Sequence, residues 1–189
     1  MKATFVPSRL ALALVAAAAL CAGTAQAQTA PAKNKSYATV LLGIDKASFD
    51  CAGVTPCDNK DKFIKASVGA ELGMGFAAEV GFSNYGRAKI GASTTTANAG
   101  TVMAAYRYGI IDDLSATARV GMAYVRTTQR NGSTEAFKGS IQPVAGFSVQ
   151  YAITPQIEAV VGAEFTRAKD ATDTKANITA FGIGASGRF

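Results

Sequence analysis

The chain has 189 residues with 19 Lys and Arg against 13 Asp and Glu, a formal net charge of +6, no His, no Trp and three Cys. Without His, a Ser-His-Asp triad, a Cys-His dyad and imidazole metal ligation or proton shuttling are excluded. The length fits one domain, and 49% hydrophobic residues without a long apolar run in the body of the chain exclude both a disordered chain and a helical membrane protein.

Residues 1–27 read as a signal peptide. Lys2 and Arg9 form a positive start, Leu10 to Ala22 an apolar core, and Ala25-Gln26-Ala27 a small-x-small cleavage site, so the mature domain is expected to span 28–189. Thirteen apolar residues are too few for a bilayer-spanning helix, which needs about 20. Lipidation at Cys21 is disfavoured by Leu20, which stands where a small residue is usual. Removing residues 1–27 leaves 17 basic and 13 acidic residues, a net of +4. These charges are interspersed, and export makes nucleic acid an unexpected partner. Cys51 and Cys57 bracket a short loop, Cys51-Ala-Gly-Val-Thr-Pro-Cys57, and in an oxidising envelope compartment a disulfide between them is expected.

Eight segments of the mature chain alternate with period 2: 36–45, 62–72, 74–84, 98–110, 113–126, 138–152, 155–168 and 176–189. Soluble strands average five or six residues, whereas a tilted bilayer-spanning strand needs about 9–11, so these lengths favour a membrane barrel. One face of the last seven segments is free of charge. It carries Ile64 to Leu72, Met74 to Phe82, Val102 to Ile110, Leu114 to Tyr124, Ile141 to Tyr151, Ile157 to Phe165 and Thr179 to Phe189, each at alternate positions. Hydrocarbon requires such a face, because Lys or Arg at the bilayer midplane costs about 2–4 kcal/mol.

The opposite face mixes small residues with four bases, Lys65, Arg107, Arg119 and Arg188, and four acids, Glu71, Glu79, Glu158 and Glu164. The interior of an eight-stranded barrel is just wide enough to be filled by side chains. These eight groups are therefore expected to pair as a neutral luminal network and not to line an open pore.

Connections alternate between long (46–61, 85–97, 127–137, 169–175) and short (near Gly73, at Ile111-Asp112-Asp113, at Ile153-Thr154). Short turns of outer-membrane barrels are periplasmic and long loops extracellular, which puts both termini in the periplasm and the Cys51–Cys57 loop outside. Tyr108, Tyr151 and Phe189 near the turn end, and Tyr85, Tyr124 and Phe165 near the loop end, suit interfacial aromatic girdles. The expected fold class is all-β: an eight-stranded antiparallel transmembrane β-barrel with short periplasmic turns and longer extracellular loops.

Two stretches resemble the small OmpA-like and OmpX-like outer-membrane barrels of Gram-negative bacteria. They are the last strand, Ile178 to Phe189, and Phe76-Ala-Ala-Glu79-Val-Gly-Phe82-Ser-Asn-Tyr85-Gly86, with its interior Glu among aromatic and Gly residues. The resemblance covers essentially the whole mature chain. It implies insertion by the outer-membrane assembly machinery, with Phe189 as the assembly signal. Gly187 departs from the pattern where an aromatic is frequent, and no peptidoglycan-binding domain follows the barrel, so cell-wall tethering is not implied.

The expected role is structural or surface-interacting, without catalysis, cofactor or metal, in a monomer surrounded by outer-membrane lipid. Alternatives left open are an adhesive barrel whose Thr/Ser/Asn-rich loops meet a host or other extracellular ligand, a narrow diffusion channel through the charged lumen, and a soluble lipocalin-like periplasmic binding barrel with its apolar face inward. Lys46, Arg87, Lys89, Arg126, Arg130, Lys138, Arg167 and Lys169 gather at the loop end, where they form either a solvated rim or contacts to lipopolysaccharide phosphates.

Overall fold

The computed structural model describes residues 36–48, 57–91, 93–132, 134–169 and 175–189. Residues 1–27, with Cys21, and Cys51 lie outside these residues, and with them the expected signal-peptide cleavage and disulfide and the disfavoured lipidation. Nine strands run in chain order: β1 (Ser36–Ser48), β2 (Cys57–Asp58), β3 (Lys60–Gly73), β4 (Phe76–Ile90), β5 (Ser93–Ile111), β6 (Leu114–Asn131), β7 (Thr134–Ala152), β8 (Ile157–Lys169) and β9 (Lys175–Arg188). All pairings are antiparallel. Eight long strands follow one another as β4-β3-β1-β9-β8-β7-β6-β5, and β4 pairs β5 to close the ring. The two-residue β2 adds to β4 outside this cycle, at Cys57↔Ile90 and Asp58↔Lys89.

The first and last long strands close the wall from Tyr37↔Arg188 to Ser48↔Asn177. Gly184 lets them approach: a Cβ there would overlap the Val40 carbonyl. Phe189 continues the pairing through its amide, which donates to the Ser36 carbonyl (3.0 Å).

Alternation sets the two faces as the sequence requires. Val40, Leu42, Ile44, Ile64, Val68, Val102, Val120, Val161 and Ile183 point outward and are 42–67% exposed. Thr39, Lys65, Ser67, Glu79, Thr101, Thr117, Ser148 and Glu164 point inward and are buried. An apolar exterior around a polar interior is the inverse of a soluble domain, and it is the arrangement that hydrocarbon stabilises. It overturns the lipocalin-like alternative, which needs the apolar side chains inside. Tyr106, Tyr108 and Tyr151 toward the turn end, and Tyr124 and Phe165 toward the loop end, remain exposed.

The long connections differ from the sequence expectation. Segments 85–97 and 127–137 are largely strand: β4 and β5 pair up to Ile90↔Ser93, and β6 and β7 up to Asn131↔Thr134. Two residues remain between the paired ends in each case. The ladder needs only backbone hydrogen bonds, so it continues after the apolar alternation ends. β5 has 19 residues, and at about 3.4 Å per residue it rises well beyond an apolar band about 25 Å tall. The other end keeps short turns at 74–75, 112–113 and 153–156. Met74, expected at the start of a strand, sits in the first of these with φ 52° between two positive-φ glycines.

Two irregularities reshape the loop end. A bulge in β4 between Asn84 and Arg87 advances its alternation by one residue, with Gly86 at φ 64°. Tyr85 is thereby the last odd-numbered position facing the lumen, while Arg87 and Lys89 turn outward. Between β7 and β8 the ladder stops at Ala145↔Phe165. Pro143 has no N–H to extend it, and its carbonyl instead accepts a hydrogen bond from the Thr166 hydroxyl (3.0 Å).

Candidate functional site

Among the described residues, the buried chemistry-bearing side chains concentrate in the lumen. Each of its charged residues sits at an inward position of a different strand from its partner, and apart from Arg188–Glu158, which joins the neighbouring β9 and β8, the pairs connect strands that are not hydrogen-bonded to each other. Lys65 on β3 pairs with Glu164 on β8, and both side chains are at most 5% exposed. Glu164 also accepts hydrogen bonds from the Ser83 hydroxyl (2.8 Å) and the Tyr85 hydroxyl (2.7 Å). Arg119 on β6 holds Glu79 on β4 through Nε, at 2.9 and 2.8 Å to its two oxygens. The Tyr37 hydroxyl donates to Glu79 Oε1 (2.7 Å), and Arg119 donates to the Ser148 hydroxyl.

Toward the turn end, Arg107 grips Glu158 with two nitrogens, at 3.0 and 2.6 Å. This fork geometry gives a strong, oriented contact. Arg188 lies between Glu71 (3.3 Å) and Glu158, and its Nε contact to the latter at 3.2 Å is an ion pair without hydrogen-bond geometry. The structure thus brings together Lys65, Glu71, Glu79, Arg107, Arg119, Glu158, Glu164 and Arg188 in three layers with four positive and four negative charges. Below the Lys65–Glu164 layer the core is polar, with Ser115 and Thr117 donating to Gln150. On the loop side it is apolar, and Phe63 stacks on Tyr85 with ring centroids 5.7 Å apart.

The neutral partners had weaker sequence signals. Tyr37, Ser83 and Ser148 fall on inward positions but are uncharged. Tyr85, expected in an aromatic girdle, is instead 3% exposed and inside the barrel, because its parity is that of Glu79 and Ser83. Asp45 is a further inward acid, buried opposite Asp61. A cavity of about 20 Å³, room for one water, is lined by Lys65, Ser67, Arg119, Ser148 and Glu164 among others. Packed ion pairs of this kind can hold the barrel wall together.

Comparison with known proteins decides the family. The outer membrane protein beta-barrel domain matches residues 13–189. The chain belongs to this family. No curated protein matches by sequence. Among solved structures, neisserial surface protein A superposes with a TM-score of 0.66 at 16% identity, covering 82% of this chain and 97% of that one. The N-terminal β-barrel domain of Pseudomonas aeruginosa OprF gives 0.58 at 15%, covering 82% and 98%. Ail, the attachment invasion locus protein of Yersinia pestis, gives 0.53 at 14%, covering 82% and 99%. These likenesses establish the fold. The outer membrane protein beta-barrel chain is a small eight-stranded barrel of the Gram-negative outer membrane, with the OmpA-like architecture.

Proposed function

We propose that this barrel is a side-chain-plugged membrane element with a structural or surface-interaction role and no catalytic one. The observation that carries the proposal is the charge balance of the eight-residue network: each of its four bases is matched to an acid, across three successive layers. A desolvated charge is tolerated only when paired, so the pairs fix the cross-section, and the space left between them suits about one water. On this reading residues 1–27 are removed on export, the short turns and both termini are periplasmic, and the paired hairpins project from the cell. Phe189 engages the assembly machinery, and Cys51 and Cys57 are bridged in the first external loop.

Planar-bilayer recording tests the plug. The purified barrel is expected to give no reproducible ion conductance. Stable unitary currents that disappear on boiling the protein would instead make it a narrow channel with a mobile network.

A second reading, attachment to an external partner, is favoured by one feature. At the projecting β6–β7 hairpin Phe137 is 70% exposed, and the Arg126 guanidinium lies over its ring at 5.0 Å. An aromatic held this way outside the lipid is a natural anchor for a protein surface.

A further inference from the structure

We infer that the loop end carries a one-sided binding arc for the phosphate groups of the surrounding outer-leaflet lipid. The inference rests on the membrane orientation proposed above.

The arc consists of Lys46 on β1, Lys60 and Lys62 on β3, Arg87 on β4, Arg167 on β8 and Lys175 on β9. These are five consecutive neighbours in the ring, β4-β3-β1-β9-β8. All six side chains are on the outward, exposed face. Lys46 and Lys60 are directly opposed across the β1–β3 ladder, a like-charge juxtaposition that is unfavourable by itself. None of the six forms an ion pair among the described residues, whereas all four bases of the luminal network do. The adjacent acid Asp58 accepts from the Lys60 backbone amide instead (3.3 Å).

The position of these bases is as specific as their sign. Three of them lie immediately beyond the apolar band: Ile44 is two residues below Lys46, Ile64 below Lys62 and Phe165 below Arg167, all outward and exposed, while Lys60 and Lys175 stand further along their strands. Arg87 reaches this belt only through the β4 bulge. Gly86 permits the bulge, since a Cβ there would come within 2.6 Å of Asp61 Cβ in a positive-φ backbone. On the far side of the barrel the outward arginines are already engaged, Arg126 on the Phe137 ring and Arg130 with Glu135 at 3.4 Å. The outward charges at the turn end are acids, Asp112 and Asp113.

A belt of uncompensated bases at the edge of hydrocarbon, on one end and one side, complements phosphate monoesters on a lipid headgroup. Lys and Arg bind such oxygens through charge-assisted hydrogen bonds, and each base near an anionic lipid surface contributes roughly a fivefold gain in affinity. The occupant is therefore the phosphorylated glycolipid of the outer leaflet, lipopolysaccharide, held on the β4-β3-β1-β9-β8 side.

The test is a titration of the protein, purified from membranes in mild detergent, with bisphosphorylated lipid A and with the same lipid stripped of both phosphates. The phosphorylated form is expected to bind at least tenfold more tightly, with an advantage that shrinks as salt rises. K46Q/K62Q/R87Q/R167Q should remove that preference, and R126Q/R130Q should retain it. Equal binding of both lipids, equal loss in the two variants, or a preference for phosphatidylglycerol over lipid A would overturn the arc. Mobility of unboiled variants on a denaturing gel confirms that each barrel is folded. If the unsubstituted protein gave no heat-modifiable species, the membrane reading itself would fail, independently of the arc.

Discussion

Replacing Arg119 by leucine is expected to lower the unfolding free energy of the detergent-refolded barrel by about 3–5 kcal/mol, the cost of stranding a buried charge. Arg119 supplies both of the Nε contacts to Glu79, whose side chain is fully buried. Without it Glu79 retains only the Tyr37 hydroxyl as a donor among the described residues, which does not offset the desolvation of a carboxylate. The double variant E79L/R119L should lose less than R119L alone, because removing both partners leaves no orphan. Urea titrations of the three proteins measure the difference. Unchanged stability in R119L would place Arg119 in water and contradict the luminal pairing.

The second large effect concerns the outer face. Val161→Arg is expected to cost about 2–4 kcal/mol, and Ile44→Arg only about 0–1 kcal/mol, although both side chains are outward and similarly exposed, at 61% and 62%. Val161 is central among the outward residues of β8, Ile157 to Phe165, whereas Ile44 adjoins Lys46 at the edge of the apolar band. Exposure alone predicts equal effects, and only a depth-dependent medium separates them. Refolding yield and urea midpoints in lipid vesicles read this out. Equal costs at the two sites would mean that the apolar face is not surrounded by hydrocarbon.

The faces of this barrel were legible because a period of 2 is a local property, and a charge-free face is visible without coordinates. Lys65, Glu71, Glu79, Arg107, Arg119, Glu158, Glu164 and Arg188 could therefore be placed on one side before any contact was known. Their pairing was not legible. Lys65 and Glu164 are 99 residues apart, and only barrel closure sets which inward positions meet. Tyr85 was misplaced because an aromatic near a strand end suits a girdle, while its parity with Glu79, which puts it inside, holds up to the bulge. The bulge has Gly86 as its only sequence trace, so the outward turn of Arg87 could not be derived. Hairpin extension was equally hidden: Thr94, Thr95 and Thr96 have the composition of a loop but pair with Arg130, Gln129 and Thr128, because strands above the membrane need no apolar face.

The most direct test of the central claim, a closed barrel with its apolar face in the outer membrane, is electrophoretic mobility of the membrane-extracted protein with and without boiling. The account predicts a shift between the two samples, β-rich circular dichroism in detergent and recovery with the outer-membrane fraction. Identical mobility together with release into the soluble periplasmic fraction would contradict it.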